Sequence, residues 1–179
     1  MLTRENFLYA PVDVPDWQQI QKEMLLFRTR LGTPDGWMFG NVEDKGALSF
    51  MPTLAKWFKS ENMEMTECVY IITPAHVITN VHRDLFGLNE LALNFPVQGY
   101  ENIRTHWYKE LIDLPFIQPG PNPHHIYKPN EIEEYDSTCV DVPTLMNVHV
   151  LHSVNNLTDQ NRIVFSFRFR EAPWHLVGL

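Results

Sequence analysis

From Met65 onward the chain breaks into short runs rich in β-branched and aromatic residues, each ended by turn-forming residues, and this pattern limits the fold more than any other feature. The runs are MTECVYII (65–72), AHVITNVH (75–82), LALNFPV (91–97), NIRTHWYK (102–109), EEYDSTCV (133–140), PTLMNVHVLH (143–152) and RIVFSFRF (162–169). Seven such runs at close spacing predict an all-β sandwich or barrel. The longest break between them, within residues 110–131, carries five of the thirteen prolines and reads as a functional loop at one rim of the barrel.

Two stretches ahead of the strands have helical periodicity. Asp13 or Asp16 caps a helix reaching about Arg30, with Trp17, Ile20, Met24, Leu25 and Phe27 or Arg28 at roughly helical spacing, and Gly32 and Pro34 end it. A second helix starts near Pro52 and Thr53, with Leu54, Trp57 and Phe58 on one side. The last strand shows what they cover. Ile163, Phe165, Phe167 and Phe169 share one face, while Arg162, Val164, Ser166, Arg168 and Arg170 share the other. The aromatic row suits the helices, which turns the Arg162 side toward the barrel interior. The expected organisation is one domain over residues 1–179, with a helical part at 1–62 packed on one sheet of a β core at 65–170.

Composition narrows the function. With 44% apolar residues the chain builds one buried core, and a net charge of −8 without any block of Lys or Arg argues against nucleic acid as a partner. No run is long and apolar enough to suggest a membrane span or an export signal, so a soluble cytoplasmic protein is expected. Cys68 and Cys139 lie apart in strand-like contexts and read as free thiols. The sequon Asn156, Leu157, Thr158 reads as turn chemistry.

In a strand, His82 and Asp84 project from one face, and an imidazole beside a carboxylate is half of a nitrogen and oxygen metal site. A second imidazole comes from His149 or His152, which point to opposite faces if both are in one strand, so only one can join. His152 shares a face with Met146, Val148 and Val150 and stands at the strand end. Arg162 places a guanidinium on the interior face, where it requires a carboxylate and accepts one bidentately. Arg168 is the alternative cation on that face. Ser166 can add a hydroxyl to the same carboxylate, and Asn94 puts an amide on an interior face, suited to a cosubstrate or to a metal-ligand side chain. Trp107 and Tyr108 read as packing, and His124 and His125 as loop residues.

His82-x-Asp84, a distal His152 and an Arg162 ten residues later resemble the Fe(II)- and 2-oxoglutarate-dependent oxygenases, in particular short bacterial and phage-encoded members. The spacing favours His152 over His149. The resemblance covers about residues 65–170 and implies a double-stranded β-helix, a cupin-like jelly roll. It also implies iron held by His82, Asp84 and His152, and 2-oxoglutarate paired with Arg162 and flanked by Asn94 and Ser166. Dioxygen is then the oxidant, and a small molecule or an amino-acid or peptide side chain the substrate. Related halogenases carry a small residue where Asp84 stands, so hydroxylation is the implied outcome. A non-catalytic cupin-like module that binds or senses a small ligand is the competing reading, and fold alone does not separate the two. Nothing in the sequence fixes the oligomeric state.

Overall fold

The computed structural model describes residues 3–31, 38–41, 44–84, 89–112 and 127–179. In chain order the main elements are β1 (Tyr9–Pro11), α1 (Trp17–Leu31), β2 (Met38–Asn41), α2 (Asp44–Ala47), α3 (Pro52–Ser60), β3 (Met65–Thr73), β4 (Val77–Ile78), β5 (Leu91–Gln98), β6 (Arg104–Glu110), β7 (Ile132–Cys139), β8 (Thr144–Asn147), β9 (Leu151–Asn156) and β10 (Arg162–Phe169). The strands form a six-stranded sheet in the order β1-β8-β5-β10-β3-β2 and a four-stranded sheet in the order β4-β9-β6-β7. This is the double-stranded β-helix.

Strand β10 is central and has two different faces. Ile163, Phe165, Phe167 and Phe169 are fully buried against the helices, where Ile20, Met24 and Phe27 of α1 and Leu54, Trp57 and Phe58 of α3 complete the main core. Phe58 meets Phe167 and Phe169 edge-on at 5.3 and 5.1 Å between ring centroids, the orientation in which positive ring edges face negative ring faces. The helices are tied to each other as well. Glu23, buried in α1, accepts hydrogen bonds from the Thr53 amide (3.1 Å) and hydroxyl (2.6 Å), satisfying a free N–H at the start of α3, where Pro52 has none to satisfy. On its other face β10 buries Arg162, Val164, Ser166 and Arg168. A smaller cluster between the sheets joins Ala92 and Met146 to Trp107, which stacks on Tyr9 at 4.7 Å.

Three expectations are corrected. Arg170 does not face the interior: β10 ends at Phe169 after a register shift at Arg168/Phe169, and Arg170 is exposed and paired with Glu64 at 2.7 Å. The run 75–82 is strand only at Val77–Ile78: Ala75 and His76 form a turn, with a φ of 59° at His76, and His82 makes an isolated bridge. The run 143–152 is two strands in different sheets. The Asn147 side chain accepts from the His149 amide (3.1 Å) and Val148 donates to Glu90 (2.9 Å), which ends β8 and hands the chain across to β9. Met146, Val148, Val150 and His152 therefore do not share one strand face.

The turn between β9 and β10 is fixed from within. Asn156, fully buried, donates to the carbonyls of Thr73, Pro74 and Gln160 at 2.8–3.0 Å, while its oxygen accepts from the Thr158 amide and hydroxyl. The sequon is turn chemistry, and its asparagine is out of solvent. Gly99 faces the same turn with a φ of 59°, and a Cβ there would collide with the Asn161 carbonyl next to Arg162. Cys68 and Cys139 are not joined in a disulfide.

Candidate metal centre

His82 and His152 meet although their elements belong to distant parts of the chain. They form an isolated antiparallel bridge, His82 N–H donating to the His152 carbonyl at 3.0 Å and His152 N–H returning at 2.9 Å. Their rings lie 4.5 Å apart between centroids. Each Nδ1 rests against a main-chain oxygen, Asn80 O at 2.7 Å for His82 and Val150 O at 2.9 Å for His152. A carbonyl only accepts, so Nδ1 carries the proton, and in a neutral ring Nε2 keeps its lone pair for a metal.

Asp84 completes the group. Its amide donates to Val148 O at 2.8 Å, and its Oδ1 lies 3.5 Å from His82 Nε2. One ligand atom from each of His82, Asp84 and His152 falls within 4.8 Å of the others. His152 is buried, with His82 and Asp84 about one quarter exposed, at 28% and 26%. His149 stands exposed on the turn between β8 and β9.

The protonation states suit a metal. Burial pushes the His152 imidazole down to about 4, against the raising effect of Asp84, so it is neutral near pH 7. Burial alone would raise Asp84, but the charges of His152, Arg168 and His82 outweigh it and hold the carboxyl below its ordinary range. Neutral imidazole and ionised carboxylate are what a metal requires of these ligands.

Arg162 lies on the inner face of β10 in register with Thr73 and is 4% exposed. Its guanidinium makes no hydrogen bond or ion pair with any described residue, and burial lowers its pKa to about 10. Ser166, on the same face, is in register with Asn94 of β5, and Asn94 with Thr144 of β8. Asn94 donates to the Met146 sulfur at 2.8 Å, and its buried oxygen has no partner among the described residues. Ser166 accepts a long bond, 3.4 Å, from Arg168. The structure thus puts Asn94 and Ser166 on the same inner face as Arg162, with Ser166 reached by Arg168.

Arg168 is the residue whose place the sequence did not reveal. It is not a spare clamp, because its Nη2 donates to Asp84 Oδ2 at 2.8 Å. Its shared face with Arg162 is visible in the strand alternation; its partner is not. His124, His125 and most of the 110–131 loop lie outside the described residues.

No family model matches the sequence, and no curated protein is detectably similar to it. Solved structures do match. The epimerase SnoN in complex with Fe3+, alpha ketoglutarate and nogalamycin RO is 17% identical, covering 91% of this chain and 78% of that chain with a TM-score of 0.60. The non-heme alpha ketoglutarate-dependent carbocyclase SnoK from nogalamycin biosynthesis is 10% identical over 94% and 83%, with a TM-score of 0.60. A Pseudomonas putida prolyl-4-hydroxylase is 13% identical over 93% and 94%, with a TM-score of 0.50. At these identities the likeness is one of fold, the double-stranded β-helix that these enzymes share with this chain.

Proposed function

We propose that the chain is an Fe(II)- and 2-oxoglutarate-dependent dioxygenase that hydroxylates a small molecule or an amino-acid or peptide side chain. The observation that carries this reading is Arg162. Among the described residues it is a buried guanidinium without a counter-ion, and an uncompensated buried charge costs several kcal/mol unless a ligand completes it. A carboxylate entering between the sheets meets that need through the paired N–H groups of the arginine.

The residues fit the metal as well. Two imidazole nitrogens and one carboxylate oxygen within 4.8 Å of one another match the donor set of non-haem iron oxygenases. His82, Asp84 and His152 hold the ion in this reading, while Arg162 binds the far carboxylate of 2-oxoglutarate, with the inner-wall groups of Asn94 and Ser166 beside it. Bound together, iron and 2-oxoglutarate supply an oxidant made from dioxygen, with succinate and carbon dioxide as products. The chain's own part is to orient both and to exclude water. The buried wall of Trp107, Met146 and Val164 supplies the dry surroundings. Among the described residues no helix is long and apolar enough to cross a membrane.

Hydroxylation is the proposed outcome, since Asp84 fills the carboxylate place. The similar structures include an epimerase and a carbocyclase, so product identity is the decisive measurement. Anaerobic protein with Fe(II) and 2-oxoglutarate should develop a visible charge-transfer band, and air should then release succinate. A ligand-binding module on the same scaffold gives neither, and iron bound without band or succinate rejects the oxygenase reading.

A further inference from the structure

Asp84 arrives on irregular backbone, held among the described residues by a main-chain hydrogen bond to Val148, while Arg168 projects from β10, where it is in register with Glu67 of β3. The geometry points to Arg168 as a positioning residue that limits Asp84 to a single metal-binding oxygen; this rests on the metal-centre reading above. Arg168 is 6% exposed, its Nη2 grips Asp84 Oδ2 at 2.8 Å, and its Nη1 reaches Ser166 at 3.4 Å. Oδ1, 3.5 Å from His82 Nε2, is the oxygen left on the side of His82.

The consequence concerns coordination number. A free carboxylate next to a divalent ion can close on it with both oxygens. With Oδ2 engaged in a charge-assisted bond from a rigid strand, the second oxygen cannot turn inward without breaking that bond. On a six-coordinate ion, two imidazoles and one carboxylate oxygen leave three positions, whereas a chelating Asp84 leaves two. A 2-oxo acid that binds through two atoms then fills the site. Arg168 thus keeps one position free beside the cosubstrate. Its charge also competes with the metal for Asp84, so its loss should not weaken metal binding if orientation is its role.

The test uses Mn(II) bound to the full chain and reads coordinated water by proton relaxation, without turnover. In Arg168→Met, Mn(II) should bind at least as tightly as in the wild type, with relaxivity lower by about a third as one of three waters is displaced. Addition of 2-oxoglutarate should then remove nearly all remaining coordinated water, whereas the wild type keeps one. Arg168→Lys, which retains a charged donor, should restore the wild-type value. Wild-type relaxivity in Arg168→Met overturns the inference, and so does weakened Mn(II) binding in that variant, whether or not Arg168→Lys recovers it. Should Arg168→Met fail to fold by near-UV circular dichroism, Arg168→Leu, which likewise offers no donor, takes its place with the same two outcomes. A wild-type protein that binds no Mn(II) or Fe(II) fails at the metal centre itself, a different result from an intact centre indifferent to Arg168.

Discussion

His82 and His152 exchange both main-chain hydrogen bonds of an antiparallel pair, at 3.0 and 2.9 Å, in a bridge that belongs to no longer ladder. A single pair of this kind fixes two imidazoles side by side across seventy residues of sequence while leaving the surrounding backbone free to carry Asp84. His152 continues into β9, whose partner β6 places Trp107 beside it, so its position is the firmer of the two.

The first prediction follows from that pairing. His152→Ala and His82→Ala should each lower Fe(II) affinity at least about a hundredfold while near-UV circular dichroism stays that of a folded protein. His149→Ala should bind iron as the wild type does, because His149 is exposed on the β8–β9 turn. Iron titrations of the three variants decide it, and full occupancy in His152→Ala would remove His152 from the ligand set.

Arg162 gives the second. Truncating one partner of a buried, hydrogen-bonded charge pair costs about 2–5 kcal/mol, so Arg162→Met should raise the 2-oxoglutarate dissociation constant at least about tenfold with iron still bound. Removing an unpaired buried charge should also stabilise the ligand-free protein. Urea unfolding with and without 2-oxoglutarate reads both effects; an unchanged titration would move the clamp away from Arg162.

The third concerns pH in the metal-free protein. The His152 imidazole falls from 6.5 to about 4 on folding, so above about 6.5 it is neutral in both states and has no effect. As pH drops, the unfolded chain takes up a proton that the folded chain refuses, and stability declines between pH 6.5 and 4 by up to about 3 kcal/mol. Asp84, held low in the folded state, acts in the same sense but at lower pH, its contribution being lost as pH falls through its folded value. Urea midpoints from pH 7.5 to 4 should fall in the wild type and distinctly less in His152→Gln.

Much of this architecture is legible in the residue order, and the reasons are local. Strand alternation at 162–169 correctly separates the aromatic face from the Arg162 face, and the turn role of Asn156 follows from its side chain. Helix α1 matches its periodicity within a residue or two. The failures occur where non-local contacts decide. Residues 143–152 read as one strand because their apolar pattern is continuous, yet Asn147 caps a turn and Asp84 donates to Val148, so the chain changes sheets. Arg168 is visible as a buried cation, but its bond to Asp84 joins residues 84 apart and depends on how β10 sits against the irregular backbone at Arg83 and Asp84.

The last prediction separates the two faces of β10. Phe58 is 1% exposed and packs edge-on against Phe167 and Phe169, on the side of the sheet away from Arg162, Ser166 and Arg168. Phe58→Ala should cost about 3–5 kcal/mol, from lost transfer energy and the cavity left among rings that cannot close over it. Backbone shifts would have to pass through a strand hydrogen-bonded on both edges, by β5 and β3, before reaching the inner face. Iron and 2-oxoglutarate affinities of the folded fraction should therefore stay within about twofold of wild type, since distant sites with no shared partners act nearly independently. Calorimetric unfolding paired with iron titration at low temperature gives both numbers from one preparation. A large affinity loss at full folding would mean that the helical layer sets the geometry of the inner face, and that β10 transmits strain rather than blocking it.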